Sequence, residues 1–414
     1  VLVLVTLAGR YSIDRAGFTS FGWVDLRAVG LVVSGALVAV ELRTGGGLKG
    51  RQPAGWVVAA MVFFGYQILS AAWGPKGPDL DAQTVADVVD LLTLAALTMA
   101  MYLHARTWPH AAGRRALWLL WAAGVVFALG AFLITGPGAQ GRYAAFGGGP
   151  NIFVRIEVLG LLAAVTLVAT GASRHLLWTA PLLVAGAVMS GSRGGLLAAA
   201  IVWLVVLVVE RGRTVHRSSI AFLGIAGTIT VVHRLNLPGS GLLQDRFVEQ
   251  TFGQGYASHR PGIFADAAQL ALDHPLAGAG LGSFRALAGR ESGVEYAHNY
   301  LLSVAAEGGA VGLLLLGTTV LLWCRTITTA RPWSRLTKGL VAASSFVALA
   351  SLTSGDYYDS RYLWCCAALA VAGLEGVRGS PSETRFDGCA STLVGERGDR
   401  GSKPNLPVRS TQHT

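Results

Sequence analysis

Charge is scarce in this chain: only 14% of its 414 residues are Asp, Glu, Lys or Arg, against about 25% in an ordinary soluble domain. A disordered chain needs the opposite balance, many charges and few apolar residues, so disorder is excluded for most of the length. Cysteine is scarce as well. Cys324, Cys365, Cys366 and Cys389 show no metal-ligand spacing, and none lies in the one long loop, so free thiols are expected rather than a disulfide framework. In place of charge the chain is 52% hydrophobic and carries 54 glycines. A mean hydropathy of +0.52 over this length exceeds what soluble cores can bury, which makes the chain an integral membrane protein. The net charge of +10 gives no nucleic-acid partner, because the basic residues gather in short loops between apolar runs, where they set topology.

A spanning helix needs about 20 apolar residues. Runs at about 1–9, 26–41, 54–73, 82–104, 115–135, 152–171, 175–190, 194–210, 218–235, 299–324, 337–354 and 361–377 predict an all-α, polytopic protein of about twelve transmembrane helices. The first run is too short to cross alone, and the chain opens on Val1. Loop charges then alternate. Arg43, Lys49 and Arg51 share one loop, Arg106, Arg114 and Arg115 another, then come Arg174, Arg211 to Arg217, and Arg325 to Lys338. Positive-inside places these loops and both termini in the cytoplasm, and the large loop 236–298, with short helices of its own, outside. Residues 1–377 form the transmembrane domain; the Gly-, Ser- and Pro-rich segment 378–414 is expected to be a disordered cytoplasmic tail.

The chemistry is expected on the outer side. The stretch GPGAQGRYAAFGGGPN (136–151) sets Arg142 among glycines before Pro150-Asn151. The turn SGSRGG (190–195) holds Arg193 where the charge rule would leave it out. It reads either as an arginine snorkelling to the interface or, with Ser190, Ser192 and two glycines beside it, as an anion site. In the long loop Pro261 opens a modestly amphipathic helical pattern ended by Pro275, expected along the membrane surface, with Arg260 before its first turn. HPLAGAGLGSF (274–284) then predicts a tight loop with its backbone open to a ligand, although without a βαβ setting it is no dinucleotide site. His298-Asn299 starts a helix that contains Glu307. The 28 residues from His298 to Arg325 make about 42 Å of helix, so it overhangs a hydrocarbon core of about 30 Å and lifts His298 above the membrane. Asn299 also suits a helix cap. Asp79-Leu80-Asp81 is a DxD, but acids ahead of a helix have a simpler cause in its dipole, and no metal is expected. Asp87 and Asp90 are expected to face the bundle interior.

Taken in order, Pro150-Asn151, SGSRGG, Arg260, HPLAGAGLGSF and HNYLLSVAAEGGAVG (298–312) resemble the O-antigen ligase and O-antigen polymerase superfamily of bacterial membrane glycosyltransferases, over about residues 50–355. The resemblance implies an inverting, metal-independent and cofactor-free transfer at the outer face of the cytoplasmic membrane. The donor is a glycan on undecaprenyl diphosphate; the acceptor is a sugar hydroxyl on a glycan or lipid-linked glycan. It gives Arg193 and Arg260 the diphosphate and His298 an essential role, with Arg142, Asn151, Ser192, Asn299 and Glu307 as substrate-binding candidates. The rival from another class is a transporter of a lipid-linked or anionic substrate, which would predict broken helices.

Overall fold

The computed structural model describes residues 26–43, 54–138, 141–146, 148–209, 260–289, 294, 296–330, 332–355, 357 and 360–378. Among them every regular element is helical, with one isolated bridge between Pro137 and Tyr143. In chain order they are α1 (Leu26–Arg43), α2 (Gly55–Leu69), α3 (Pro78–Thr107), α4 (Pro109–Gly130), α5 (Pro150–Ala169), α6 (Ala180–Met189), α7 (Arg193–Val209), α8 (Arg260–Asp273), α9 (Tyr300–Thr329), α10 (Arg335–Ser354) and α11 (Arg361–Arg378). Prolines open α3, α4 and α5, at the position where the missing N–H costs nothing.

Among the described residues six helical stretches are long and apolar enough to cross a membrane: Gly55–Ala72, Leu80–Thr107, His110–Thr135, Pro150–Ala169, Tyr300–Thr329 and Arg335–Ser354. Four more are apolar but shorter: Ala28–Val40, Arg174–Met189, Arg193–Val208 and Arg361–Val371. The chain is therefore multi-pass. Ten of the expected twelve runs coincide with these helices; the runs 1–9 and 218–235, the loop up to residue 259 and the tail from 379 lie outside the described residues.

Helices approach closely where side chains are smallest, as is usual when lipid offers apolar groups no worse a home than protein does. On α4 and α5, Gly124 and Gly160 face each other so tightly that a Cβ on either would stand 3.2 Å from the other's Cα. At the far end of the bundle, Gly339 leaves room for Thr166 in the same way. Larger side chains fill the remaining core, with Phe63 and Phe64 of α2 against Trp364 of α11 and Trp56 against Tyr102.

One helix is not continuous. Gly309 has φ +61 and breaks α9 near its start. A break leaves carbonyls and N–H groups without helical partners, and a spanning segment must satisfy them internally. Residues 275–280 supply them. The N–H groups of Ala279 and Gly280 donate to the carbonyls of Ala306 (2.9 Å) and Glu307 (3.0 Å), while those of Ala310 and Val311 donate to Pro275 (2.9 Å) and Leu276 (3.1 Å). From α2 the Tyr66 hydroxyl reaches the carbonyls of Ala277 and Gly308, and the Trp73 indole N–H donates to Gly278.

This pairing changes the expected role of HPLAGAGLGSF. Its glycines are needed, since Gly278, Gly280 and Gly282 all have positive φ, but their backbone is buried against α9 and α2 rather than open to a ligand. It also anchors α8. The end of α8 feeds the break in α9, and Ile263, Ala267 and Leu270 are buried with Ala297 and Ala306.

Candidate functional site

The candidate residues collect at one end of the bundle, in two groups. The first joins the start of α5 to the turn before α7. Arg142 donates from Nε to the Ser190 carbonyl (2.9 Å) and from a terminal nitrogen to Asn151 Oδ1 (3.4 Å). The Ser192 hydroxyl donates to the same Asn151 oxygen (2.9 Å). Arg142, Asn151 and Ser192 therefore hold one another, and Arg193 begins α7 directly beside them. The two glycines after Arg193 are explained by packing. A Cβ on Gly194 would collide with Thr353 at the end of α10, and one on Gly195 with Val154 of α5.

The second group surrounds the start of α9. Asn299 caps the helix: its side-chain oxygen accepts from the N–H groups of Leu301 (3.0 Å) and Leu302 (3.1 Å). Replacing Asn299 with alanine is expected to cost about 1 kcal/mol, as lost caps do, seen as a small fall in the unfolding temperature of detergent-solubilised protein. His298, one residue before the cap, has φ +54, a region that side chains with a Cβ seldom enter and that stores strain at sites. Its ring tilts against Tyr296 at 4.2 Å, and Nδ1 is buried without a hydrogen-bond partner among the described residues. Burial first, and then the positive charge of Arg260, push its pKa down to about 4. His298 is thus a neutral imidazole at physiological pH, next to a guanidinium.

Glu307 is buried just before the break in α9. It accepts from the Phe284 N–H (3.3 Å) and from the Tyr357 hydroxyl. Of the two acids expected inside, Asp87 on α3 is buried and pairs with Arg285 (3.2 Å), which ties the loop after α8 to α3.

The residues that have now come together, from Arg193 through Arg260 to His298 and Glu307, fall inside one stretch of known ancestry. Residues 178–317 match the family described as O-Antigen ligase. The match covers about a third of the chain and supports the O-antigen ligase and polymerase superfamily. No curated protein matches it.

What links the two groups lies partly outside the stretch matched to the ligase family. Thr353 lies against Gly194, the Ser354 carbonyl accepts from Arg155 (3.3 Å), and Tyr357 bonds Glu307 and packs on Tyr300. The end of α10 and the turn after it therefore bridge the Arg193 group to the His298 group. Sequence reasoning passed over Arg155, although an arginine inside an otherwise apolar span is a functional signal by default. Arg361, buried at the start of α11 over the Tyr362 ring, was passed over too.

Proposed function

We propose that the chain is a glycosyltransferase that moves a glycan from a polyprenyl (undecaprenyl) diphosphate to a sugar hydroxyl. It acts at the outer face of the cytoplasmic membrane, in polymerisation or ligation of a surface polysaccharide. The acceptor oxygen attacks the anomeric carbon, the bond from that carbon to the diphosphate oxygen breaks, and the bonding pair leaves with the diphosphate. A single displacement of this kind inverts the carbon and needs no metal.

The observation that carries this reading is the strained His298, within reach of the Arg260 charge and inside the stretch that matches the O-antigen ligase family. A neutral imidazole can take the proton that the acceptor hydroxyl loses. A guanidinium meets the charge that grows on the leaving diphosphate with planar, paired donors. Arg193, presented by the start of α7, serves the same charge from the other group. Arg142, Asn151 and Ser192 hold that turn and serve the donor beside it.

One observation favours the transporter reading, since discontinuous helices form the substrate sites of many transporters. In α9, however, the backbone groups of Ala306, Glu307, Ala310 and Val311 are bonded by residues 275–280 of the same chain.

The test is release of lipid diphosphate from an undecaprenyl-diphosphate oligosaccharide, with purified protein in EDTA. Arg193→Ala and Arg260→Ala are each expected to slow release about a hundredfold or more, the usual cost of one preorganised donor. Product length separates polymer from single transfer. Lipid binding with no release from any donor would overturn the transferase and support transport.

A further inference from the structure

The turn that closes the break in α9 carries a surface unlike that of a water-exposed loop. Leu272 and Leu276 are each 72% exposed, while the glycines that follow are buried. The depth of Leu276 is fixed by hydrogen bonds, because its carbonyl accepts from Val311 and that of Pro275 from Ala310. Val311 stands fourteen residues before Arg325, about 21 Å of helix, whereas the hydrocarbon layer is about 30 Å thick. Moving the far boundary from Arg325 to the helix end at Thr329 still gives only about 27 Å. Tilting α9 brings Val311 deeper. Val311 and Leu314 are exposed on the same spanning helix and continue the apolar surface downward.

From this register we infer that Pro275, Leu276 and Ala277 form a re-entrant lip seated among the lipid acyl chains of the leaflet on the His298 side. The cost of entering hydrocarbon is lowered there because the carbonyls of Pro275 and Leu276 are bonded by the broken helix and that of Ala277 by the Tyr66 hydroxyl. Asp273 and His274, both exposed, ride at the level where the lip leaves the hydrocarbon. The occupant is bulk lipid, so the lip needs no particular substrate, and it stands whether the chain is a transferase or a transporter.

The test places a nitroxide on a cysteine at position 276 in an otherwise cysteine-free chain reconstituted in liposomes. Position 314 serves as the lipid-facing control and exposed Asp266 of α8 as the water-facing one. At 276, collision with oxygen is expected to exceed collision with a water-soluble nickel chelate, as at 314. Where loss of the native cysteines disturbs folding, a benzophenone side chain at 276 or 266 of the intact chain gives the same answer, with lipid adducts expected at 276 alone. Nickel accessibility at 276 equal to that at 266, or equal lipid adducts at both positions, overturns the lip.

Discussion

Replacing His298 with alanine is expected to slow transfer by about a hundred- to ten-thousandfold, the range for a positioned acid–base group, while lipid-linked donor still binds. The residue stands in a strained backbone position within reach of the Arg260 charge, and Nδ1 is buried with no partner among the described residues. A residue that only packed would lose little activity on truncation. Measuring single-turnover rates and donor affinity separately decides between the two. An alanine variant with full turnover and weakened binding would remove His298 from the chemistry.

The same residue fixes a pH dependence. Its pKa lies near 4, so the neutral form required for proton acceptance persists well into acid, and the acid limb of the rate is expected near pH 4. Arg260→Gln removes the charge and keeps the burial, so the limb should move upward, short of the free-histidine value of about 6.5. Stability follows the same sign. The unfolded chain binds this proton near pH 6.5 and the folded one only near 4. The contribution is complete above about pH 6.5 and is lost as pH falls toward 4. A wild-type acid limb at 6.5 would contradict the environment described for the ring.

Gly280→Ala is expected to be among the most damaging small substitutions in the described residues, together with those at Gly278 and Gly309. The φ of Gly280 is +91, and an added Cβ would lie 2.5 Å from both the N and the Cα of Gly74, with the Ser70 carbonyl at 2.8 Å. Backbone on both sides leaves no flexible group to yield. The strained conformation alone costs about 1–3 kcal/mol, and the collision must also open the junction between α2 and the broken α9. Gly262 offers the matched control, because nothing lies within 4 Å of its added Cβ. Unfolding temperature and monodispersity in detergent should collapse for Gly280→Ala and hold for Gly262→Ala. Equal behaviour of the two would mean that the loop is not locked into the bundle as described.

Much of this was legible in the residues. Pro261 and Pro275 bounded α8 within a residue or two, and Asn299 announced its cap. The break in α9 was not legible, because Gly308-Gly309 in an apolar run is ordinary in spanning helices, where glycine is common. Only the loop thirty residues earlier makes it a break, and pairing at that distance has no period to detect. The same loop misled for the same reason: its glycines were correctly read as conformational, but their backbone partners belong to α9. SGSRGG marked Arg193, yet its two glycines answer to Thr353 and Val154. Tyr357 carries no charge and no motif, so its bond to Glu307 depended on folding to be seen. Arg155 was visible and simply outweighed by its apolar neighbours.

The exchange of backbone partners across Gly309 also has a kinetic face. In an unbroken helix the amides of Ala310 and Val311 would be guarded by their own helix and would exchange with solvent deuterium only as that helix opened. Here the guards are Pro275 and Leu276. Those two amides therefore become protected or labile together with the loop, as one cooperative opening unit. They form a built-in clock for lifting of the segment beneath His298, readable without any substrate at all.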